Sequence, residues 1–155
     1  MRFYELQLAA TAVTASTVDL AEINAASAKS YCLVEVRLGQ TTELTDAADE
    51  EIEINWVTGN TTSGSGGNSP TALPVDLGDA AFGGTCETFN TTAATSGTTA
   101  TRKLFTWKLT QEGLWLPIPE KRIWMPGATR GVLRIGASPA DSVTISGTIT
   151  IAEVG

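Results

Sequence analysis

The closing stretch "SVTISGTITIAEVG", Ser142 to Gly155, constrains this chain more than any other. Val143, Ile145, Gly147, Ile149 and Ile151 alternate with Thr144, Ser146, Thr148 and Thr150. A period of two sends one set to a buried face and the other toward solvent, which a strand permits and a helix does not. Val, Ile and Thr also fit a pleated surface.

The same period recurs upstream. In "SYCLVEVRLG", Ser30 to Gly39, the residues Cys32, Val34, Val36 and Leu38 share one face, and Tyr31, Leu33, Glu35 and Arg37 share the other. "EIEINWV" places Ile52, Ile54 and Trp56 together, and "KLFTWKLTQEG" does so for Phe105, Trp107 and Leu109. These phases make Trp56 and Trp107 core residues. The start, "MRFYELQLAATAVTAS", has the outline of an export signal, but Glu5 and Gln7 interrupt its apolar centre. Tyr4, Leu6 and Leu8 alternate with those polar residues, so a first strand is expected there. Asp19 to Lys29 reads as a short strand plus a loop, and "GTCETFN" as a strand that dissolves into a Thr-rich tip near Gly97. Ala137 to Asp141 reads as a hairpin connection into the last strand.

Two segments read as loops. Thr58 to Pro74 is rich in Gly, Ser and Thr and is expected to be exposed and flexible, reaching solvent or a neighbouring subunit. Its Gly64-Ser65-Gly66-Gly67 run lacks the Gly-Lys-Ser/Thr and the helix that a phosphate cradle needs. Thr45 to Glu51 is acidic, but Asp46, Asp49 and Glu50 have neither the spacing nor the central Gly of a calcium loop, so a short helix or solvated turn is expected. Asn60 and Asn90 each begin an Asn-Thr-Thr sequon, which a Thr-rich chain produces by chance.

These elements predict one domain over residues 1–155: all-β, an antiparallel β-sandwich of jelly-roll type with roughly eight to ten short strands. An immunoglobulin-like sandwich is the alternative. Cys32, Trp56 and Cys86 occur in its order, but their spacing is short and no Tyr stands two residues before Cys86.

Composition narrows the function. The chain has no histidine, which excludes Ser-His-Asp and Cys-His catalysis and the commonest zinc ligand. Its two cysteines read as buried free thiols, with a single disulfide as the alternative. Glu5, Glu22, Glu35, Glu53, Glu87, Glu112 and Glu120 are scattered with no catalytic pairing in their spacing. Net charge is −7 with only ten Lys plus Arg, so no nucleic-acid partner is expected. Lys121, Arg122, Arg130 and Arg134 read as a solvated face offsetting nearby acids. No apolar run approaches a membrane span, and no catalytic residue, cofactor or metal is expected.

One segment stands apart. "LWLPIPEKRIWMPGATRG", Leu114 to Gly131, carries Pro117 and Pro119, which remove two ladder donors and bar a central strand. It is expected as an edge strap. Trp115, Pro117, Pro119, Arg122, Trp124 and Met125 are its candidate interface residues, because exposed tryptophan and methionine on an edge suit a protein–protein contact. The competing reading is a carbohydrate- or receptor-binding module in which Trp115 or Trp124 stacks on a sugar.

The last third of the chain resembles small accessory head proteins of tailed phages. The resemblance lies in Pro126-Gly127, the Val132 to Ile135 strand, Ser138-Pro139-Ala140, Ser146-Gly147 and the ending Glu153-Val154-Gly155, with "AKSYCLVEVRLG" as a looser match. It is a pattern of strands and turns and holds no catalytic motif. The resemblance implies a capsid decoration (cement) protein with a jelly-roll fold, a homotrimer whose partner is the major capsid protein. It implies assembly in the host cytoplasm and a place on the outer surface of the virion, bridging neighbouring capsomers. A surface glycan remains the alternative partner.

Overall fold

The computed structural model describes residues 1–14, 19–42 and 50–155. Of the acidic segment Thr45 to Glu51, residues 45–49 therefore lie outside the described residues, and Glu51 begins a strand. The described residues form eleven strands: β1 (Arg2–Val13), β2 (Asp19–Asn24), β3 (Ser30–Gln40), β4 (Glu51–Thr58), β5 (Leu73–Pro74), β6 (Thr85–Asn90), β7 (Ala100–Lys108), β8 (Gly113–Trp115), β9 (Ile123–Met125), β10 (Arg130–Ile135) and β11 (Val143–Val154). The only described helical element is a 3-10 turn, Pro119–Lys121. No described helix is long and apolar enough to cross a membrane.

The strands form two antiparallel sheets. The first has the order β5-β1-β11-β3-β8, with β9 also paired to β3; the second has the order β6-β2-β10-β4-β7. The pairing is nested. β1 pairs with β11, β2 with β10, β3 with β8 and β9, and β4 with β7. The first half of the chain thus zips onto the second half, and the resulting ribbon rolls so that β1 to β6 alternate between sheets, β7 stays in the second sheet with β6, β8 and β9 both return to the first, and β10 and β11 alternate again. That winding is a jelly-roll sandwich, as expected. The strand count exceeds the expectation because the strap contributes two short edge strands and β5 forms inside the long loop.

The core lies between the sheets, and the alternating residues fill it as their phases dictate. Tyr4, Leu6, Leu8, Ile52, Ile54, Trp56, Trp107, Leu109, Val143, Ile145, Ile149 and Ile151 are all buried there. Gly131 gives Trp56 its space, since a Cβ at that position would stand 2.1 Å from Trp56 Cζ2.

Three local readings are corrected. β3 does not keep one phase. Opposite β11, Glu35 pairs with Thr150 and Leu33 with Ile151, which leaves Val34 as an extra bulged residue. One extra residue reverses the faces, so Tyr31 and Leu33 join the core while Cys32 and Val34 turn to the outer side with Ala152. The connection from β10 to β11 is no hairpin, because it carries the chain from the second sheet to the first.

The third correction concerns the Gly-rich loop. It is largely exposed, as expected, but lies along the second sheet, hydrogen-bonded to β6 and to the segment after it. Thr62 and Thr95 exchange both backbone bonds (3.0 and 3.1 Å), as do Ser65 and Thr92 (3.0 Å each) and Asn68 and Thr88 (2.9 and 2.8 Å). Glycine is needed for this closeness: a Cβ on Gly67 would stand 2.2 Å from the Thr88 carbonyl oxygen.

Candidate functional site

Two buried carboxylates on β2 hold the Thr-rich loops in place. Asp19 accepts Arg134 Nε at 2.5 Å, Arg134 Nη2 at 3.1 Å and the Ala94 N–H at 2.7 Å. Glu22 accepts the Ser63 hydroxyl at 2.6 Å and the Gly64 N–H at 2.9 Å, and it pairs with Arg130 Nε at 2.5 Å. Both acids are fully buried. Arg130 and Arg134 are therefore internal clamps, not members of a solvated basic face, because burial demands that such charges be paired. The clamped loops cover the outer face of the second sheet, where Val57, Ala94 and Val132 pack together. Asn60 and Asn90, which begin the sequons, are buried beneath them.

The first sheet is different. Every exposed large hydrophobic side chain among the described residues lies on or beside its two edges. On one edge are Leu114, Leu116, Ile118 and Trp124; on the other are Met1, Phe3, Leu73, Val75 and Leu77. Between them runs one cross-strand row, Phe3–Ala152–Cys32–Trp124, given by the register. Ala152 and Cys32 are fully buried in this row, whereas Trp124 at its end is 51% exposed. Burial pushes the Cys32 thiol up, and the nearby positive charge of Arg122 partly offsets this.

The expected strap is present, and its residues divide. Gly113 lets it approach closely, since a Cβ there would stand 2.8 Å from Trp107 Cδ1. Trp115 is half-buried and packs against the core. Met125 is 3% exposed and fills the chain's own core, because it sits in phase with Ile123 on the inner face of β9; it does not protrude toward a neighbour. Pro117 and Arg122 are partly covered, and Pro119 is exposed in the 3-10 turn. Trp124 remains outward. Leu114, Leu116 and Ile118 complete the exposed edge, and their spacing of two around the prolines was the available signal for them.

A groove of about 540 Å³ opens where the two sheets part, between β9 with its following turn and the end of β4. Thr58, Asn60, Arg102, Ile123, Trp124 and Arg130 are among its walls. A second hollow of about 370 Å³ continues it along the strap, sharing Arg102 and Ile123 and adding Lys103, Trp115 and Lys121. No Asp or Glu lines either hollow. The Asn60 side-chain amide nitrogen is buried with no hydrogen-bond partner, while the Asn60 carbonyl accepts Arg130 Nη1 at 3.2 Å.

Cys32 and Cys86 are both free and buried. Cys86 belongs to the core, and burial pushes its thiol up to about 12. Among the described residues, no group of three His, Cys, Asp or Glu side chains is placed to hold a metal ion. No family model, curated protein or solved structure matches this chain.

Proposed function

We propose that this chain is a non-catalytic virion structural protein, a capsid decoration protein that binds the outer surface of a phage shell and bridges neighbouring capsomers. The observation that carries this reading is the distribution of exposed apolar side chains. They are confined to the two edges of one sheet, while the other sheet is covered by the chain's own loops. Exposed apolar clusters rimmed by polar residues mark surfaces that meet other proteins.

Prolines blunt the strap edge, and β5, two residues long and ending in Pro74, blunts the other. Neither edge is therefore suited to adding a further strand, and contact is through side chains. Each patch alone is small, and a small contact is weak. Three linked copies in a trimer convert modest sites into high avidity when their spacing matches a lattice.

Light scattering on a sizing column tests the assembly directly. A homotrimer has a mass near three times 16.2 kDa. Co-sedimentation with undecorated phage shells tests the partner. Saturable binding that is lost in the Leu116→Ser/Ile118→Ser variant supports the reading; a folded protein that sediments with no shell at micromolar concentration overturns it.

A further inference from the structure

The groove between the sheets has a charge pattern opposite to that of the chain. The protein has 17 Asp plus Glu against 10 Lys plus Arg. Yet Arg102, Lys103, Lys121 and Arg130 line the two connected hollows, and no acid does. Arg130 is neutralised from behind by Glu22, and Lys103 is paired with Glu53 at 3.0 Å. Arg102 and Lys121 have no ion-pair partner among the described residues. The remaining walls mix hydroxyls and amides from Thr58, Asn60 and Thr61 with apolar surface from Ile123 and Pro126, and Trp124 stands beside them. Asn60 is 94% buried, given its 6% exposure, and its side-chain amide has no partner in the protein. A buried donor left unpaired is costly, and a ligand oxygen or a bridging water relieves that cost.

We infer that this groove binds an acidic oligosaccharide, with Arg102 and Lys121 facing sugar carboxylates and Trp124 meeting a sugar ring. Its size falls within the range of ligand sites. The polar walls suit the many hydroxyls of a sugar. Two unpaired cations suit a ligand bearing a carboxylate on each ring, whereas a densely charged nucleic acid meets the chain's net charge of −7. The groove shares Trp124 and Leu116 with the exposed strap edge, whereas Arg102 belongs only to the groove and Ile118 only to the edge, so variants at those two residues separate this inference from the shell reading.

The test titrates the whole protein with trigalacturonate, neutral maltotriose and a short poly-glutamate peptide, by calorimetry and by shifts of the tryptophan indole NMR signals. Trigalacturonate is expected to bind saturably, at least tenfold more tightly than maltotriose, with affinity falling as salt rises. Arg102→Ala is expected to weaken it at least tenfold, and Arg102→Lys to retain most of the affinity. Arg102 is exposed, so these variants keep the fold. Ile118→Ser, outside the groove, is expected to leave sugar binding unchanged while disturbing assembly. No binding of trigalacturonate at 5 mM, or equal binding of maltotriose, overturns the inference. Equal or tighter binding of poly-glutamate also overturns it and makes the groove an acidic-peptide site.

Discussion

Replacing Asp19 with Ala is the sharpest test of how the loops are held. The substitution removes both contacts to Arg134 and the acceptor for the Ala94 N–H. Asp19 is fully buried and the Arg134 side chain is 23% exposed, so the arginine loses its partner while still largely covered. Breaking a buried pair from one side costs about 3–5 kcal/mol. Arg134 also donates to the Ala94 carbonyl at 2.9 Å and has some access to water, which places the expected loss near about 3 kcal/mol. For a chain of this size that lowers Tm by about 6–12 °C. Urea denaturation gives the free energy, and amide exchange supplies the local signature. The amides of Thr92, Ala94 and Thr95 should exchange faster than those of β11 by more than the global loss accounts for. The double variant Asp19→Leu/Arg134→Met should recover most of the stability, because a well-packed apolar pair replaces a buried charged one at little cost. A drop in Tm of less than about 2 °C for Asp19→Ala, with loop exchange unchanged, would refute the clamp.

Gly67→Ala should destabilise by about 1–3 kcal/mol, read from the urea midpoint, because the new Cβ meets the Thr88 carbonyl oxygen; a neutral outcome would mean that the loop does not lie against β6. Trp124→Ala should leave the far-UV spectrum intact and cost under about 1 kcal/mol, while Trp107→Ala costs about 3–5 kcal/mol, since only the second empties core volume. With its thiol raised from 9.0 to about 12, Cys86 stays protonated in the fold while the unfolded chain ionises first. Stability should therefore be insensitive to this group below pH 9 and fall by about 1.4 kcal/mol per pH unit above it, a slope that Cys86→Ala should reduce. A thiol reagent at pH 8 should find neither cysteine in the native protein and both after denaturation.

Alternation was enough to find most strands and most of the core, because facing sides of a sheet leave a period of two in the sequence. β11 and β4 bury the aliphatic and tryptophan residues expected of them, and β7 buries Trp107 but covers Phe105 only in part. It failed in β3, where Val34 bulges and reverses the faces on either side. A bulge is a property of the pairing with β11 and leaves no mark on β3 alone. The prolines correctly made the strap an edge, because a missing donor is a local fact. The fate of its side chains was not local. Met125 turned inward and Leu116 and Ile118 outward, according to which sheet lay beneath each.

The charged residues show the same division. Spacing made Glu22 one of several scattered acids, made Arg130 and Arg134 a solvated face and assigned Asp19 no charged role, since Asp19 and Arg134 are 115 residues apart in the chain. The nested winding of the sandwich sets β2 beside β10, and only that neighbourhood makes clamps of them. Likewise Arg102 carries no motif and Asn60 only a sequon that a Thr-rich chain produces by chance, yet the parting of the sheets puts both on one groove. The sequence by itself determined what is written into single strands and turns: an all-β chain, its wound sandwich, its buried tryptophans and the lack of histidine chemistry. Tertiary structure decided which charges are buried, which apolar residues are left facing out and where a cleft opens, because those depend on contacts between segments distant in the chain.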